Sequence, residues 1–116
     1  MSTEPVVQLL ERFREAARDY GIAMQGGDAK SANLSQRRIG EAYKKLRGYR
    51  EGRATLLEWL ASEDLAVRYM AAVYTLDSAP AEGERVLEEI AKGPPSPLRM
   101  LAQVSLRQWR AGLLQF

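Results

Sequence analysis

The sequence of 116 residues is 46% apolar and 28% charged, which is typical of one globular domain and excludes a disordered chain. It contains no cysteine and no histidine, so disulfides, thiolate nucleophiles, Ser-His and Cys-His arrangements and the commonest nitrogen ligands of metals are excluded. The net charge is only +2, which is too small to indicate nucleic-acid binding by itself. We therefore expect a binding protein, with no catalytic residue and no cofactor or metal site.

The first residues and the hydropathy of the chain predict a cytoplasmic location. Residues 1–11 are acidic and polar, where a secretory signal has a basic start and then an apolar run. The longest uncharged apolar stretch, residues 69–76, is far shorter than the roughly 20 residues that cross a bilayer. We expect no membrane span, and one domain over residues 1–116.

The first half of the chain predicts three helices. Apolar residues at steps of three and four predict a first helix over residues 5–24, with a left-handed exit at Gly26 and Gly27. Asp28 is expected to cap a second helix, whose outer side is strongly basic. A shorter third helix is predicted over residues 52–61.

The second half of the chain predicts three more helices. Asp64 is expected to cap a fourth helix over residues 65–77. Pro80 begins a fifth helix, and Ser96 caps a sixth that ends near Ala111. No run of β-branched residues alternates with polar ones beside a tight-turn signal, so strands have no support. The predicted fold class is all-α.

Two blocks of the sequence share the layout of a helical hairpin. The first block, T-L-L-E-W-L-A-S-E-D-L-A-V-R-Y-M-A-A over residues 55–72, resembles a HEAT repeat, with Asp64 as its cap and Val67-Arg68 opening its second helix. The second block covers residues 86–106. Three helix pairs meet the usual minimum for a stable solenoid, in which each unit buries its face against its neighbours. A plain helical bundle is the alternative.

Scaffold residues of the same kind run through most of the chain: Phe13, Ala17, Gly21 to Ala23, Gly27-Asp28, Ala32-Asn33, Tyr43, Leu46-Arg47, Leu56 to Leu60, Asp64, Val67-Arg68, Ala71-Ala72 and Trp109. With these residues, positions 5–112 resemble a family of small bacterial HEAT/armadillo-like domains of unknown function. The resemblance implies a right-handed solenoid of about three antiparallel helix pairs, and it implies hardly anything about activity. By analogy, similar small helical-repeat proteins serve as immunity proteins that neutralise a bacterial toxin.

Charge is distributed unevenly along the chain. Residues 30–53 hold eight Lys or Arg against two acids, and residues 54–98 hold three against eight. If the second, fourth and sixth helices are the second helices of their pairs, their cations share one face, and the glutamates of the later first helices share the other. The predicted partner-binding residues of this basic face are Arg37, Arg38, Lys44, Lys45, Arg68, Tyr69, Arg99, Arg107 and Arg110. Ordinary solubilising charges are the alternative explanation.

These features predict a protein-protein interaction module whose basic face clamps an acidic protein surface, as an immunity-type inhibitor of a toxin or as an adaptor. Nucleic-acid binding, which HEAT-like DNA glycosylases suggest, is the alternative. Leu113, Leu114 and Phe116 form an apolar edge that either folds back on the last helix pair or pairs with a second copy. We expect a monomer, with a homodimer as the alternative.

Overall fold

The computed structural model describes residues 4–116, and all regular elements in this range are helical. They are α1 (Glu4–Gln25), α2 (Ala29–Leu46), α3 (Arg50–Glu58), a 3₁₀ turn (Trp59–Ala61), α4 (Leu65–Ser78), α5 (Pro80–Ala91) and α6 (Pro97–Arg110). No strand occurs between residues 4 and 116, so the prediction of an all-α chain with six helices is confirmed.

Side-chain caps define where three of the helices begin. Asp28 and Ser96 each accept a hydrogen bond from the backbone amide three residues further on, at 3.0 and 3.1 Å. Asp64 accepts two, from the amides of Ala66 at 2.9 Å and Val67 at 3.1 Å. Each bond satisfies an amide that has no partner within its own helix. The three predicted caps are confirmed.

The third helix changes its geometry before it ends. Its α-helical part ends at Glu58, and residues 59–61 form a single 3₁₀ turn. The Ser62 amide closes this turn by donating to the Trp59 carbonyl at 3.0 Å. Such a turn satisfies the last carbonyls of a helix by tightening it. The predicted third helix is thus a short α-helix followed by this turn.

The fourth helix is the centre of the molecule, because it packs against α1, α3, α5 and α6. Between Leu65 and Leu76 its only charged side chain is Arg68, and buried residues lie on all its sides. A helix that is apolar all round is a buried helix. The fifth helix approaches it closely at Gly83, where a Cβ atom would lie 2.7 Å from the carbonyl oxygen of Ala72.

Three helices, α2, α4 and α6, run in the same direction. The last part of α1 lies beside the start of α4, where Arg18 Nε is 3.7 Å from Asp64 Oδ2. The end of α2 lies beside the end of α4, where the Tyr43 hydroxyl is 2.6 Å from Asp77 Oδ2. The end of α6 lies beside the start of α5, where Arg110 Nη2 is 3.3 Å from Glu84 Oε2. Gly83, near the start of α5, packs on Ala72 and Leu76 of α4. The C-terminal ends of α2, α4 and α6 therefore meet at one end of the molecule.

Candidate functional site

The outer face of α2 carries a strip of cations, which we call the basic ridge. It consists of Lys30, Arg37, Arg38, Lys44 and Lys45, all of which are exposed. At 100° per residue these positions fall within about 120° of the helix circumference. The opposite side of α2 is buried and contains Ala32, Ile39, Tyr43 and Leu46. The amphipathic pattern of α2 therefore turns every ridge side chain away from the core.

No ridge residue forms an ion pair with any carboxylate in the described part of the chain. Glu41 is the only acid on α2, and it is exposed within the same strip. Leu34, 44% exposed, also lies on this side of the helix. The ridge thus combines five cations that form no ion pair, one carboxylate and one exposed apolar side chain.

One flank of the ridge is a depression of about 350 Å³ between α1 and α2. Here Arg38 and Lys45 of the ridge meet Arg12, Glu15 and Asp19 of α1. The flank therefore has mixed charge. A partner that covers it has to present cations or hydrogen-bond donors beside its own acids.

The other cations of the predicted face lie elsewhere. The Arg68 guanidinium donates to the carbonyl of Ser62 at 2.9 Å. Arg99 is half-buried in the first turn of α6, and Arg107 is exposed on the same helix. Of the nine predicted residues, the four on α2 lie together on one helix face.

Arg68 also lines a groove of about 700 Å³ between the end of α3 and α5. The apolar residues of this groove include Leu57, Leu60, Leu65 and Ile90. Sequence reasoning did not predict the groove, because its two walls come from helices that are separate in the sequence.

Arg110 corrects the expectation that acidic and basic residues occupy opposite surfaces. Its Nη2 lies 3.3 Å from Glu84 and 3.2 Å from Glu88, both on α5. Arg85 of α5 pairs with the two remaining glutamates of that helix. The acids of α5 are therefore partly neutralised by neighbouring arginines, and Arg110 is already engaged.

Tyr69 was expected to face a partner, and the structure contradicts this. Its side chain is 5% exposed, and its hydroxyl lies 2.8 Å from Ser105 Oγ of α6. Burial raises the pKa of Tyr69 to about 12. Tyr69 is covered because α4 is surrounded by other helices.

A second cluster, which sequence reasoning missed, lies where the ends of α2 and α4 meet. The Tyr43 hydroxyl donates to Asp77 Oδ2 at 2.6 Å, and Arg47 Nη2 lies 3.4 Å from the same oxygen. Burial, together with the hydrogen bond to Asp77, raises the pKa of Tyr43. The Tyr43 ring centroid is 4.6 Å from that of Tyr74. The available signals were the i,i+4 spacing of Tyr43 and Arg47 at the end of α2 and the single acid, Asp77, near the end of the apolar helix α4.

Within residues 4–116 no group of three or more Asp or Glu is placed to hold a metal ion. In the same range no helix is long and apolar enough to cross a membrane. No family model, curated protein or solved structure matches this chain.

Proposed function

We propose that the protein is a non-catalytic binding module that recognises an acidic surface of another protein through the basic ridge of α2. The observation that carries the proposal is the set of five exposed cations on one helix face that have no carboxylate partner within residues 4–116. Opposite charges speed the encounter of two proteins and select between partners. Leu34 adds an apolar contact within the same surface.

Carboxylates in and beside the ridge favour a protein over a nucleic acid as the partner. Glu41 lies within the strip, and Glu15 and Asp19 lie along its flank. A phosphate backbone carries acceptors only and would be repelled by these carboxylates. A protein surface can place lysines, arginines or amides opposite these carboxylates and its own acids opposite the ridge cations.

We further propose that the three helix pairs stack as HEAT-like repeats in a right-handed solenoid, and that the module acts as a monomer in the cytoplasm. The packing of α1 on α2, of α3 on α4 and of α5 on α6 supports the three pairs that this arrangement requires. The proposal of an immunity-type role against a toxin rests only on the resemblance of the sequence to small helical-repeat proteins.

The experiment that tests the proposal is affinity capture from an extract of the source cells, followed by titration of the captured protein against two matched variants. The ridge variant carries Arg37→Glu and Lys44→Glu. The control variant carries Arg18→Glu and Lys92→Glu, so it replaces the same residue types, at exposed positions outside α2. Both variants change the net charge equally.

We expect the ridge variant to bind the captured protein about tenfold more weakly or worse, and the control variant to bind nearly as the wild type does. Titrations at low and physiological salt separate direct contacts with the ridge from long-range attraction by net charge, because salt screens the long-range part more strongly. Equal losses in both variants, or no loss in the ridge variant, would contradict the proposal. Binding of mixed-sequence duplex DNA that weakens steeply with salt would support the nucleic-acid alternative instead.

A further inference from the structure

The chain reverses its direction after α6 and returns across the molecule. Gly112, with φ of 74°, donates to the Trp109 carbonyl at 3.0 Å, and the Leu113 amide donates to the Gln108 carbonyl at 2.8 Å. This is the left-handed helix end that glycine favours. Residues 113–116, which we call the return segment, then continue without helix or strand.

The return segment places Phe116 in an aromatic pocket. The pocket is formed by Tyr43, Tyr74, Trp109 and Arg47, at the end of the molecule where α2, α4 and α6 meet. The Phe116 ring centroid lies 6.4 Å from that of Tyr43, 5.9 Å from that of Tyr74 and 6.4 Å from that of Trp109, each in an edge arrangement. Arg47 Nη1 donates to the Phe116 carbonyl at 3.1 Å.

Two residues of the pocket, Tyr43 and Arg47, are held by contacts that do not involve the return segment. The Tyr43 hydroxyl donates to Asp77 Oδ2 at 2.6 Å. Arg47 is held beside the same carboxylate and over the Tyr43 ring, with its guanidinium carbon 5.8 Å from the ring centroid. Tyr43 and Arg47 are therefore positioned by Asp77 independently of the return segment, which lowers the cost of binding a ligand beside them.

The return segment itself is held much less firmly than the pocket that it fills. Leu113 is 70% exposed, and Leu114 and Phe116 are only partly buried. Its one side-chain hydrogen bond to the helices is the exposed bond from Arg47. A segment with few contacts opens at a small free-energy cost.

We propose that the aromatic pocket is a binding site for an extended peptide segment of a partner protein, and that the return segment occupies it as an intramolecular substitute. The ligand class is an apolar residue followed two positions later by an aromatic residue, as in Leu114 and Phe116. Arg47 binds the carbonyl of that aromatic residue. The proposal rests on the contacts of the return segment and does not depend on the basic ridge.

The test uses a fluorescent, C-terminally amidated peptide with the sequence of residues 112–116, titrated by anisotropy. The proteins are the full chain, a variant without residues 113–116, and the full-length variant Phe116→Ala, which frees the pocket and keeps the chain length. We expect saturable binding to both variants and at least about tenfold weaker binding to the full chain, because a tethered competitor has an effective concentration in the millimolar range.

Two controls tie the binding to the pocket. A peptide with alanine at its last position should bind neither variant measurably, and Arg47→Gln in the Phe116→Ala background should weaken binding severalfold. Circular dichroism checks the fold of each protein. The proposal is overturned if the peptide binds no folded variant, if it binds the full chain equally well, or if the alanine peptide binds alike. It is also overturned if both pocket-freeing variants unfold, since the segment would then belong to the core.

Discussion

Asp64 stabilises α4 through the hydrogen bonds that it accepts from the amides of Ala66 and Val67. Removing an N-cap acceptor leaves helix amides without a partner and costs about 1 kcal/mol. We therefore expect Asp64→Ala to lower the free energy of unfolding by about that amount in urea denaturation. Arg18→Gln is the control, because it removes only the 3.7 Å contact with Asp64 between two well-exposed side chains. A loss near zero for Asp64→Ala, or an equal loss for Arg18→Gln, would contradict the capping role.

Gly83 allows α5 to pack closely on α4. Replacing a glycine within a helix by alanine normally stabilises by about 0.5–1 kcal/mol. Here the new Cβ atom would lie 2.7 Å from the Ala72 carbonyl oxygen, which belongs to a backbone that cannot rotate away. We expect Gly83→Ala to destabilise the protein by about 1–3 kcal/mol, as overpacking does.

The matched control for this helix contact is Gly48→Ala. The new Cβ atom at position 48 would lie 3.6 Å from the Lys45 carbonyl oxygen, which is an ordinary van der Waals distance. Thermal unfolding of both variants provides the comparison. A melting temperature for Gly83→Ala at or above that of the wild type would show that α4 and α5 are less tightly packed than the structure indicates.

The helices could be predicted because their signals are local. Asp28, Asp64 and Ser96 mark helix starts through bonds to amides two or three residues away, and Gly27 ends α1 with φ of 69°. The position of α4 was harder to predict, since it depends on which helices surround it. The single charge between Leu65 and Leu76 was the available signal, and it explains why Tyr69 is buried.

At the scale of the whole molecule, the basic ridge could be predicted because all its residues lie on one helix. The partners of Arg110 could not, since Glu84 and Glu88 lie 26 and 22 residues away and meet it only through the packing of α5 on α6. The aromatic pocket was missed for the same reason. Phe116 lies 69 residues from Arg47 along the chain.

The central claim, that α2 is the binding surface, is tested most directly by acetylation footprinting of the lysines. The chain has four: Lys30, Lys44 and Lys45 on the ridge, and Lys92 at the end of α5. All four are exposed, so each reports on the complex, and Lys92 is an internal control. Mass spectrometry gives the acetylation rate of each lysine with and without the captured partner. We predict slower acetylation at the three ridge lysines and an unchanged rate at Lys92. Slower acetylation at Lys92, with unchanged rates on α2, would contradict the claim.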